Sequence, residues 1–126
     1  MINEKYHYIW KGDRLVVIRF YTDFLDDVND LITYYLYAEN GMFTDDGYTR
    51  DELSTHTDDE KLIDKVMEYA CQRYGCEMVG DEMQSDTPER LLQAMMAVYA
   101  WIEFRECGLW SYIKWLFLVV GISVIG

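Results

Sequence analysis

Two histidines, His7 and His56, and three cysteines, Cys71, Cys76 and Cys107, are all that this 126-residue sequence offers for imidazole or thiol chemistry, against 23 carboxylates. The phosphate loop, the dinucleotide fingerprint, the H-E-x-x-H zinc helix and the G-x-S-x-G elbow are absent. His7 lies in a strand-like run and reads as an edge or core histidine. His56 stands just before a helix start and reads as a solvated flank. Cys71 and Cys76 have C-x4-C spacing at the end of an apolar helix, where the dipole raises a thiol, so they read as structural thiols rather than a redox pair. Asp59-Glu60-Lys61 has the D-x-K spacing of some metal-dependent nucleases, but a helix start accounts for its acids. Aligning Gly47 with the sixth position of a calcium loop puts Met42 at position one and Leu53 at position twelve, which excludes an EF-hand. The sequence therefore predicts no catalytic residue, no metal site, no cofactor and no enzyme.

The strongest chemical feature is charge. The net charge is −12, yet residues 21–60 hold twelve acidic side chains against Arg50 alone, a local charge of −11. Such a field repels nucleic acid and anionic lipid and attracts basic surfaces. Asp23, Asp26, Asp27 and Asp30, extended by Asp45, Asp46, Asp51, Glu52, Asp58, Asp59 and Glu60, are the expected partner-binding face. Carboxylates one helical turn apart match successive phosphates, with Tyr34, Tyr37 and Tyr48 as aromatic anchors. The functional expectation is a small non-enzymatic inhibitor or adaptor that mimics a phosphate backbone and docks on a basic, nucleic-acid-binding protein. The analogy, of composition and not of motif, is with the small acidic single-domain proteins common among mobile-element, anti-defence products. The bland alternative is a solvated face that keeps an apolar protein in solution.

These residues need a scaffold. KYHYIW, a turn at Gly12 and RLVVIRFY predict a hairpin of residues 5–10 and 14–21, apolar and covered on both faces. Phe24, Val28, Leu31, Ile32 and Tyr35 recur at spacings of three and four and predict an amphipathic helix ending at Asn40-Gly41, with the four aspartates on its outer face. Residues 42–56 read as a polar loop. Thr57 to Glu60 form a capping box for a helix over 58–74, stopped by Gly75; residues 76–86 connect, with an extended piece at Met78-Val79. Thr87-Pro88 starts a helix to Glu106 whose middle, AMMAVYAWI, is apolar all round and suits the centre of the fold or a homo-oligomer interface.

The last stretch, residues 109–126, sets the main fork. After Lys114 only twelve residues remain, about 18 Å of helix against a hydrocarbon core of about 30 Å. It is therefore expected to pack in the core, as a helix or as a strand added to the hairpin; the alternative is a membrane anchor flanked by Trp110, Tyr112 and Trp115. The expected fold is one α+β domain over residues 1–126: an N-terminal hairpin, three to four helices and a core C-terminal segment. The odd thiol count and the absence of a cationic leader point to a cytoplasmic setting.

Overall fold

The computed structural model describes residues 5–106 and is α+β. Six strands form one antiparallel sheet: β1 (Lys5–Lys11), β2 (Arg14–Leu25), β3 (Leu31–Tyr37), β4 (Phe43–Thr44), β5 (Glu77–Val79) and β6 (Glu82–Ser85), in the order β1-β2-β3-β4-β6-β5. Three helices complete it: α1 (Tyr48–Ser54), α2 (Glu60–Tyr74) and α3 (Pro88–Glu106).

The expected fold is corrected in two respects. The N-terminal hairpin is the edge of a larger sheet, and the helix expected after residue 22 does not exist: β2 runs on to Leu25, the chain turns, and β3 returns. The reason is local. Asp26 Oδ1 accepts the backbone N–H groups of Val28 at 2.9 Å and Asp30 at 3.0 Å, and Asp26 N–H donates to Asp30 O at 2.8 Å. This Asx turn, with Asn29 left-handed at φ 65°, competes with any helix through the same residues. The run Ile32-Thr33-Tyr34-Tyr35 that follows is β-branched and aromatic, and favours a strand. Phe24, Val28 and Leu31, three of the five residues of the supposed apolar stripe, are 41, 52 and 48% exposed. Consequently Asp23, Asp26, Asp27 and Asp30 are not stacked one helical turn apart.

Alternation divides the sheet into two faces. Phe20 pairs with Tyr34 across β2 and β3, their rings stacked 4.9 Å apart, and this face joins Ile32, Phe43 and Met83 in the core. The helices complete that core with Leu53, Ile63, Met67, Leu91, Met95, Val98 and Ile102. Arg19, Tyr21, Thr33 and Tyr35 share the opposite face by the same register. Both faces of the hairpin are not covered: every residue of β1 is exposed among the described residues.

The stop at Gly75 and the start at Pro88 hold, but the Thr57 capping box does not cap α2. Asp59 rather than Thr57 is the N-cap of α2, accepting Leu62 N–H at 3.2 Å, while Gly75 at φ 75° closes the helix. Pro88 begins α3, which is central but not buried all round, since Gln93, Met96, Ala100 and Glu103 are exposed. The apolar segment 109–126 lies outside the described residues. Within those residues, no helix is long and apolar enough to cross a membrane.

The supposed loop 42–56 contains β4 and α1, and Asp45 is the reason. This fully buried carboxylate accepts N–H groups from Gly47 at 3.0 Å, Thr49 at 3.2 Å and Met83 at 2.9 Å. Burial raises its pKa, and those backbone donors oppose the rise. It thereby caps α1, whose N-cap Gly47 has no side chain, and fastens the helix to β6. Asp45→Ala leaves three N–H groups without their acceptor and is expected to cost at least about 3 kcal/mol in urea unfolding. Asp45→Asn, which sets an amide against one N–H, loses less in the same direction; a loss under about 1 kcal/mol for the alanine variant contradicts the role.

Candidate functional site

The turn between β2 and β3 is exposed at Val28, Asn29 and Asp30 but sends the Asp27 side chain inward. A bulge between Tyr21 and Leu25 breaks the strand register there, and the Thr22 hydroxyl, buried beneath it, donates to Ile32 O at 2.8 Å. Beyond it Asp27 meets His56. The Asp27 side chain is 3% exposed, and its Oδ2 lies 3.0 Å from His56 Nε2. Glu52 Oε1, one helical turn before His56, is 3.3 Å from the same nitrogen, and Glu106 Oε1 at the end of α3 is 3.3 Å from Nδ1. One imidazole thus joins the sheet turn, α1 and α3. His56 is not a solvated flank; of its partners only Glu52 stands at a helical spacing, while Asp27 and Glu106 lie 29 and 50 positions away.

Burial disfavours the imidazolium, but the hydrogen bonds to Asp27, Glu52 and Glu106 outweigh it and raise the His56 pKa. The Glu52 carboxyl is raised first by its contact with the Asp27 carboxyl, with burial and the Asp27 charge adding and His56 opposing. Two carboxyls therefore crowd a single imidazole nitrogen.

Beside this cluster a cleft of about 280 Å³ opens on the outer sheet face, lined among others by Arg19, Tyr35, Tyr48, Asp26, Asp30 and Glu52. Tyr48, 55% exposed, stacks on Tyr35 at 6.4 Å and 14°. The Arg19 guanidinium sits 5.5 Å over the Tyr35 ring, with its Nη1 3.3 Å from the Tyr21 hydroxyl. The cleft is therefore an aromatic wall with carboxylates at its rim, and it already takes one guanidinium.

The eleven expected acidic residues divide accordingly. Asp26, Asp30 and Glu52 line the cleft; Asp23, Asp46, Asp51 and Asp58 are exposed. Asp27 and Asp45 are internal, and Asp59 caps α2. Glu60 binds Arg50, whose guanidinium also meets Asp64 at 2.8 Å and Asp81 at 3.5 Å. Of the expected anchors, Tyr48 is in the cleft, Tyr34 is in the core, and Tyr37 donates to Glu82 at 2.8 Å. Neither Arg19 nor Tyr35 is expected at the site from the sequence: Arg19 lies within the predicted hairpin strand 14–21, and Tyr35 belongs to the apolar stripe of the expected helix. Burial raises the Cys71 thiol to about 12, and Cys76 Sγ donates to Arg90 O at 3.3 Å, so both serve packing.

A histidine raised in the folded state adds stability that is complete below its unfolded pKa, about 6.5, and is lost as pH climbs through the folded value. In buffer with a chelator, the difference in Tm between the wild type and His56→Gln is expected to be greatest near pH 6 and to shrink towards pH 9. A difference that grows with pH contradicts the assignment. No family model, no curated protein and no solved structure matches this chain.

Proposed function

We propose that the protein acts by binding rather than by catalysis, as an acidic inhibitor or adaptor that docks on the basic surface of a nucleic-acid-binding protein. The observation that carries this reading is the cleft between the outer sheet face and α1, where Tyr35 and Tyr48 stand beside Asp26, Asp30 and Glu52. Its volume of about 280 Å³ suits one side chain rather than a drug-sized ligand, whose pockets start at roughly 300 Å³. A cationic side chain from a partner gains the exposed Tyr48 ring and the rim carboxylates together, whereas Arg19 within the chain makes the ring contact alone, over Tyr35.

The surrounding charge supplies approach rather than fit. Asp23, Asp30, Asp46, Asp51 and Asp58 are exposed, and a concentration of like charge speeds encounter with a basic surface. Mimicry of phosphate does not rest on helical spacing here. It rests on carboxylates from the β2–β3 turn and from α1 brought to one rim, with His56 holding the two segments together.

A hexa-arginine peptide measured by calorimetry tests this. Affinity is expected to fall at least about tenfold between 50 and 300 mM salt, and by about tenfold again in Asp30→Lys/Tyr48→Ala at fixed salt. The charge-matched Glu68→Lys/Tyr69→Ala pair, on the exposed side of α2, should retain more of the affinity. Equal losses in both pairs, or binding to duplex DNA in place of the peptide, contradict the proposal.

A further inference from the structure

We propose that Asp27, Glu52 and His56 form a binding site for a divalent metal ion of the zinc and manganese class. One oxygen from each carboxylate and the imidazole nitrogen all lie within 4.8 Å of one another. The separations are those of a ligand set: Oδ2 of Asp27 and Oε1 of Glu52 stand 3.0 and 3.3 Å from His56 Nε2. Tetrahedral ligands held at roughly 2.0–2.1 Å from zinc stand about 3.3 Å from each other.

The cluster is more than a group of acids. The Asp27 side chain is 97% buried, taking its 3% exposure, and its Oδ1 has no hydrogen-bond partner. A buried carboxylate oxygen without a donor is costly, and an ion beside it removes that cost. The imidazole does not supply this oxygen, since Nε2 has one hydrogen to offer and Asp27 Oδ2 and Glu52 Oε1 share it. The outer contact also fits. Glu106 Oε1 lies 3.3 Å from Nδ1, the place of the carboxylate that orients a metal-bound imidazole and fixes its tautomer.

The donor set narrows the ion. Two carboxylates with one imidazole suit zinc or manganese better than the all-oxygen sites of magnesium and calcium. Three protein ligands, on the β2–β3 turn, on α1 and two residues past its end, leave a further coordination position for water or a partner's side chain. An ion there would fasten the acidic turn to α1.

The site goes beyond the binding reading and is tested separately from it. Titration of the full chain with Zn²⁺ by calorimetry is expected to show one site, weakened at least about tenfold in Asp27→Asn and in His56→Gln. Cys76→Ser and Glu89→Gln should leave it in place, which separates the site from the Cys76 thiol and from surface charge. If either ligand variant fails to fold, Zn²⁺-induced shifts of the His56 ring resonances in the wild type decide. Absence of binding, equal affinity in His56→Gln, or unmoved His56 resonances overturns the proposal, whatever the result with hexa-arginine.

Discussion

A buried aspartate fixes where α1 starts, and the outer site follows from that. Asp45 holds backbone N–H groups on both sides of the turn into α1 and a third on β6, so strand, helix and hairpin meet at one carboxylate. With the first turn of α1 in place, Tyr48 reaches the sheet face, Glu52 lies one turn further, and His56 falls just beyond the helix end. The positive φ of Asp46 and Gly47, 58° and 79°, is the backbone cost of this turn, and the three hydrogen bonds to Asp45 offset it.

Net charge overstates the surface such a protein presents. Of the carboxylates in residues 21–60, Asp26 makes a turn, Asp27 meets His56, Asp45 builds a helix start, Asp59 caps another and Glu60 joins Arg50. Each has defined donors, and the burial of Asp27 and Asp45 makes theirs matter most. Asp26, Asp30 and Glu52 line one aromatic cleft, which turns part of a compositional excess into a place with a shape.

The sequence was most legible where a local signal had no competitor. Gly75 and Pro88 marked the end of α2 and the start of α3 because left-handed φ and a missing N–H have few other uses there. Residues 22–40 misled because apolar residues at spacings of three and four also occur by chance in a strand buried on both faces. Ile32, Tyr34 and Tyr35 are all buried, so β3 shows no period of two. The clue that outweighs the spacing is the Asp26 to Asp30 turn, rich in Asx residues, followed by a β-branched and aromatic run. His56 and Asp27 were beyond local reading, since their contact depends on a bulge and on the placement of α1 across the sheet.

Because His56 is what closes the acidic turn onto the helical layer, a double-mutant cycle on Asp27→Asn and His56→Gln, followed by urea unfolding at pH 6 in a chelator, examines that closure most directly. A coupling energy above about 0.5 kcal/mol is expected for groups in contact; additivity within about 0.3 kcal/mol would show that the two segments are not joined there.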